Sequence, residues 1–393
     1  MQTGSPHADE LDLELVVARA AQIAGSVLAA EAERVDREAV WVEKGMAALL
    51  SAGFGGLVVP RRHGGLDHGM LGLVRVCEQL GRECASTAIC YGMHCVGSAV
   101  IAAKATHEHG QRYLEPIARG EHLTTLALSE PGSGSHFYLP ETTAVADGDE
   151  LVISGAKTFV TNATHADSYV ISVTAPPDES GPGLFSCLVL PGDAEGLEWG
   201  EPWHGLGMRG NDSRALTLHD VRLPQAALLG EEGDEIWYVF HVVAPYFLCA
   251  MSGTYLGVAA AALAEAVEHL TRRRYSTTGD TPAAQPVVQH RVGELWAALE
   301  RTRRLVYYAA EAADAGSDDA LVALCSAKAE IAQTGAWLVN EALTLTGGIA
   351  YRENSRLARA LRDIRAAHVM APTTDILRTW AGRALLGRPL LAE

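Results

Sequence analysis

The feature that most limits what this chain can fold into is a double change of periodicity. Helical spacing gives way to short β-type runs at about His122 and returns after about Gly233. From 11 to about 50 the chain is rich in Ala, Leu and Glu, and this stretch stops at Gly53-Phe54-Gly55-Gly56. Past the break at Pro60, the apolar runs at 70–80 and 86–103 are too long and too Ala-rich for strands. In the middle, short β-prone runs flank Asp147-Gly148-Asp149 as a hairpin would, and further runs follow at 169–174, 184–190 and 215–218 between Gly, Pro, Asp and Asn clusters. In the last third, Leu256, Ala260, Leu263, Val267 and Leu270 form one apolar stripe closed by Arg272-Arg273-Arg274. Val292, Leu295, Trp296, Leu299 and Val306 mark the next helix, Gly316 can cap it, and Ser317-Asp318-Asp319 starts another. The expected fold is α+β and mostly α: a helical domain over 1–121, an antiparallel β-barrel or sandwich over 122–233, and a helical bundle over 234–393.

Length supports this division, because 393 residues exceed what one core usually holds. A net charge of −17 argues against nucleic acid or an anionic membrane as partner. No run of about 18 uncharged apolar residues stands out as a membrane span, and the polar, acidic start lacks a basic-then-apolar leader, so a soluble cytoplasmic protein is expected. Seven cysteines without a CxxC pair point to reduced packing residues. No metal is expected: His107 and His109 face different sides of a helix and have no further ligand nearby. Gly132-Ser133-Gly134-Ser135 lacks the third glycine of a dinucleotide fingerprint.

Chemistry is carried by several separated segments. Leu128-Ser129-Glu130-Pro131-Gly132-Ser133-Gly134-Ser135 puts glycines and hydroxyls on a turn after a strand, where backbone N–H groups can approach a polar ring or phosphate. Downstream stand Gly155-Ala156-Lys157-Thr158-Phe159-Val160-Thr161-Asn162, Gly207-Met208-Arg209-Gly210-Asn211, Thr346-Gly347-Gly348 and Arg362-Asp363. Read singly, Phe159 suits a core, Arg273 a helix end and Gly347-Gly348 a turn. Taken in order, the set resembles the acyl-CoA dehydrogenase superfamily, and the similarity includes Gly53-Phe54-Gly55 and His63-Gly64-Gly65, so it spans nearly the whole chain.

That resemblance implies the three-domain fold with a C-terminal four-helix bundle, FAD as cofactor, and an acyl-CoA or acyl-carrier-protein substrate. Leu128, Ser129, Gly134 and Ser135 match the loop that meets the isoalloxazine and ribityl chain, and Phe159, Val160 and Thr161 match the triplet against the ring. Arg273, Thr344, Gly347 and Gly348 match groups that reach the FAD of a neighbouring subunit, and Thr373 and Asp375 complete the flavin contacts. A homo-oligomer, dimer or tetramer, with a shared FAD site follows from the same resemblance.

The chain departs from the family at the catalytic base. Family dehydrogenases take the α-proton with a glutamate; the two positions that supply it are Ala371 and Phe247 here, and the Asp that follows the Gly-Ser loop is His136. Three readings stay open: a relocated base, flavin chemistry that needs none, as in flavin-dependent monooxygenases of this fold, or a non-catalytic subunit. His94, in Tyr91-Gly92-Met93-His94, is the one candidate catalytic residue, with a buried hydrogen-bonded histidine as the alternative.

Overall fold

The computed structural model describes residues 12–134, 136–176 and 184–391. From Leu13 to Arg119 the chain is helical, with long helices at Gly69–Glu83 and Ala85–Ala103. The second carries Ala, Gly, Ser and Cys on all sides, so no face of it seeks water, and it is buried almost end to end. Among the described residues eight strands follow: β1 (Thr124–Ala127), β2 (Thr143–Asp147), β3 (Glu150–Val160), β4 (Ser168–Thr174), β5 (Phe185–Pro191), β6 (Leu197–Trp199), β7 (Arg214–Pro224) and β8 (Leu228–Leu229). They form one sheet in the order β6-β7-β3-β2-β4-β5-β8, with β1 off this path beside β4. The pairings are antiparallel except for β1 with β4 and β2 with β4, which run parallel. Asp147 pairs with Glu150 across the expected hairpin, and Gly148 takes the positive φ that the turn needs.

A helical run from Glu235 to Arg272 then returns the chain to the bundle. Helices Pro286–Asp314, Ala320–Thr346, Arg356–Ile364 and Thr374–Leu385 complete it. Glycines set how closely the first domain approaches this bundle. A Cβ on Gly81 would stand 2.4 Å from the Thr254 carbonyl oxygen, one on Gly253 2.3 Å from that of Val74, and one on Gly257 2.2 Å from that of Glu78. Helices Gly69–Glu83 and Ala244–Arg272 therefore touch backbone to backbone.

One expectation is corrected here. Leu13–Glu38, Ala85–Ala103 and Glu235–Arg272 are each long and apolar enough to cross a membrane by length and composition. The latter two contain charge-free runs of this length, and for them the cause is internal packing, since 100% and 83% of their most apolar windows are buried within the protein against 28% for the first. The seven cysteines are all buried and free, as packing residues are.

Candidate functional site

The Gly/Ser loop leaves β1 and is tied at once to the end of β3, where the Thr158 N–H donates to the Ser129 carbonyl at 2.8 Å. Leu128 is buried and Ser129 half-buried, while Gly134 is exposed at φ +52° with nothing near its Cβ position. Ser135 lies outside the described residues. The loop is clamped from below by Glu130, which accepts from Glu141 N–H (2.5 Å), from the Thr142 hydroxyl (2.7 Å) and from Lys157 Nζ (2.5 Å). Burial pushes the Glu130 carboxyl up, but the Lys157 charge and these donors hold it below its ordinary value.

At the end of β3 the register against β7 slips between Lys157 and Val160. This bulge gives Phe159 a φ of +55° and turns it outward, 57% exposed, with its ring edge-on to Trp203 at 5.2 Å. Val160 and Thr161 point the other way, into the core, and the Thr161 hydroxyl is engaged with that of Ser213 at 3.2 Å. Of the matched triplet, only Phe159 offers a free side chain; the other two have backbone to offer.

The facing wall belongs to the bundle. Lys328 is buried and donates to the carbonyls of Met370 (3.0 Å) and Pro372 (2.8 Å), while the Tyr255 hydroxyl donates to Met370 Sδ at 3.1 Å. Burial lowers the Lys328 ammonium to about 8. The turn so held presents Ala371, and Phe247 packs half-buried against the core, so neither family carboxylate position has a substitute acid. Thr373 caps helix Thr374–Leu385, Asp375 is exposed, and among the described residues the Thr373 side chain makes no cap bond and the buried Thr374 hydroxyl has no partner. Sequence reasoning passed over Thr374. It also passed over the seal between the two walls, where Tyr138 meets Phe240 (6.0 Å) and Trp380 (6.4 Å); the cue was Phe137-Tyr138 directly after the loop.

Four matched residues sit elsewhere. Arg273 is exposed just past helix Ala244–Arg272 and forms no ion pair among the described residues, with its guanidinium 5.7 Å from the Tyr275 ring. The Thr344 hydroxyl is spent on the Asn340 carbonyl, and Gly347 and Gly348 face open space. None of the four bonds to the Gly/Ser loop or to Phe159 among the described residues. A cavity of about 880 Å³ lies between helices Ala244–Arg272 and Pro286–Asp314, floored by Leu263, Val267, Leu270, Val288 and Val292 and flanked by Trp296.

His94 is not placed for chemistry. It is fully buried, its Nδ1 accepts the Thr124 N–H at 3.2 Å, and its Nε2 lies 3.0 Å from the Gly55 carbonyl. These partners fix the Nε2–H tautomer and use both nitrogens, and burial lowers the ring to about 4. The Gly207–Asn211 motif is likewise a joint. Met208 N–H donates to Asp363 at 2.6 Å, Gly210 N–H to Ser86 at 3.2 Å, and Arg362 pairs with Asp36. One loop thus ties all three domains together.

Three family models match in the order of these domains: "Acyl-CoA dehydrogenase, N-terminal domain" over 11–121, "middle domain" over 125–221 and "C-terminal domain" over 249–386. Among curated relatives, cyclohex-1-ene-1-carbonyl-CoA dehydrogenase of Geobacter metallireducens is 30% identical over 93% of this chain and 95% of its own. Among solved structures, an acyl-CoA dehydrogenase from Geobacillus kaustophilus superposes with a TM-score of 0.87 at 26% identity, covering 95% of this chain and 97% of the other. Butyryl-CoA dehydrogenase from Megasphaera elsdenii gives 0.89 at 24% identity over 98% and 100%, which bears on the fold alone. With three domain models in order and a 30% relative along nearly the full length, the chain belongs to the acyl-CoA dehydrogenase family of flavoprotein oxidoreductases.

Proposed function

We propose that this chain binds FAD between the β-domain and the bundle and oxidises an acyl thioester, carried on CoA or an acyl-carrier protein, at its α,β-carbons. The observation that carries this reading is Phe159, an aromatic ring turned out of the core by a strand bulge beside an open glycine turn. A flat cofactor fits what is present: the exposed Phe159 ring and the open backbone at Gly134. When bound, FAD supplies the acceptor for the hydride leaving the β-carbon.

The chain's own residues do the rest. Lys328 and Tyr255 fix the Met370–Pro372 turn, and the Tyr138, Phe240 and Trp380 rings keep water from one end of the cleft. The α-proton leaves to a group other than Ala371 or Phe247. Arg273, Thr344, Gly347 and Gly348 stand apart from the loop and serve the flavin of a sister chain, and the apolar groove between helices Ala244–Arg272 and Pro286–Asp314 is the surface which that chain covers. The active form is then a homo-oligomer.

The missing carboxylates favour a second reading, a flavin monooxygenase of the same fold. With both nitrogens of His94 engaged, that reading has lost the residue that first suggested it. Anaerobic addition of acyl-CoAs decides between them: the flavin band at about 450 nm should bleach with at least one thioester. Failure with every thioester, together with oxygen uptake when reduced flavin is supplied, transfers the case to the oxygenase. A preparation that stays colourless in excess FAD removes both and leaves a non-catalytic subunit.

A further inference from the structure

We propose that Glu235 positions the flavin loop as a proton-holding latch, acting through the ammonium of Lys157, and that its ionisation releases the loop; this rests on the cofactor reading above. Lys157 is fully buried and all three of its N–H bonds are taken: Glu130 Oε1 at 2.5 Å, the Ser172 carbonyl at 2.6 Å and the Ser172 hydroxyl at 3.1 Å. Glu130 begins the turn that leads to Gly134, and its other bonds to Glu141 and Thr142 close the 130–142 loop on itself. The position of the loop therefore depends on Lys157 staying with Glu130.

The sheet brings a second carboxylate to the same spot. Ser172 of β4 pairs directly with Cys187 of β5, and side chains opposite one another in such a pair share a face. The neighbouring Ser186 hydroxyl accepts the Gly233 N–H at 3.1 Å, which pins the start of the Glu235–Tyr238 helix against β5. Glu235 is thereby sunk to 0% exposure, with no hydrogen-bond partner for either oxygen among the described residues. The charged and titratable groups acting on it are Lys157 from β3, Glu130 from the loop and Cys187 from β5. Its neighbour Asp234 is turned away, to Lys104 at 2.6 Å.

One ammonium with no spare N–H cannot serve two buried carboxylates, so one of them keeps a proton. Glu130 has four donors and stays charged; Glu235 has none, and burial lifts it to about 8, with Lys157 opposing and Glu130 adding to the rise. Once ionised, Glu235 competes for Lys157 and draws it from Glu130. The sign follows from proton counts. The folded value stands above the ordinary 4.5, so stability is whole below about 4.5, falls as pH rises to about 8, and is level beyond.

The test compares the wild type with Glu235→Gln, which is neutral at every pH, and with Glu235→Leu as a second neutral variant. FAD is the probe, titrated by fluorescence at about pH 7 and about pH 9. The wild-type Kd should rise about tenfold, one pH unit beyond the transition, while both variants stay within about twofold. Independently, the melting point of the chain stripped of FAD should fall behind that of Glu235→Gln progressively between about pH 5 and about pH 8, then run parallel to it. Identical pH profiles in wild type and variants overturn the latch. FAD binding at no pH overturns the function reading instead, and the melting arm still decides whether Glu235 holds the proton.

Discussion

A Cβ built on Gly207 would stand 2.4 Å from the Arg362 carbonyl oxygen, 2.5 Å from its carbonyl carbon and 2.7 Å from Asp363 N, whereas one built on Gly348 would meet nothing within 4 Å. Both glycines sit in motifs that mark the family, and in the sequence they look equivalent. Their surroundings separate two uses of a motif. Around Gly207 the chain supplies every neighbour itself: Met208 N–H on Asp363, Gly210 against Val35 and Ser86, Arg362 on Asp36. Around the Cβ position of Gly348 the described residues supply none, its carbonyl accepting the Tyr351 N–H at 3.3 Å, and this glycine has no positive φ to account for it either. A motif packed on all sides is there for the fold, and one left bare on a folded chain is there for something the chain does not carry.

The comparison breaks first at Gly207. Replacing it by Ala pushes a methyl into the backbone of helix Arg356–Ile364, which cannot rotate aside, and the cost expected is about 3 kcal/mol, near the top of the range for overpacking. Thermal denaturation should show the largest loss of this set, and an unchanged midpoint would mean that the joint yields. The same joint has a pH signature of about 3 kcal/mol at most. Burial raises Asp363 to about 6, with the Met208 N–H opposing, so the folded value exceeds the ordinary 3.8. Stability should therefore fall as pH rises from about 3.8 to about 6 and level off above, and Asp363→Asn should flatten that slope while keeping an acceptor for Met208.

On the open side, Phe159→Ala should leave the melting point of the FAD-free chain nearly unchanged, because the ring covers little of the protein's own core. FAD affinity should drop roughly ten- to hundred-fold, the worth of about 1.5–3 kcal/mol for a covered aromatic face. A large melting loss with unchanged FAD affinity would make Phe159 a packing residue after all.

The helix, sheet, helix order was legible because apolar periodicity is a local property, and the 147–149 turn announced its hairpin through Gly148. Motif order carried the family. What stayed hidden depends on long-range contacts. His94 reads as a pocket residue until Gly55 and Thr124, 39 and 30 residues away, are seen to occupy its two nitrogens. Strand alternation predicts no outward turn at Phe159; the slip against β7 creates it. Glu235 reads as an ordinary acid in the first turn of a helix, where the macrodipole welcomes one, and only the folded chain reveals that it is fully buried and feels the charge of Lys157. The catalytic base was not legible, since both positions that announce it elsewhere hold apolar side chains.

Gly348→Ala carries the smallest expected effect and sharpens the comparison most. On the isolated chain the methyl enters open space at a backbone geometry any residue adopts, so stability should change by less than about 0.5 kcal/mol. If this turn serves a sister chain's flavin, as proposed, the same methyl would stand in the path of that cofactor, so FAD should dissociate faster with the melting point of the FAD-free chain unmoved. The two measurements have to disagree for the reading to hold. If Gly348→Ala leaves FAD release unchanged as well, the bareness of the Thr346-Gly347-Gly348 turn has no cofactor behind it, and the shared site must be sought on another face of the bundle.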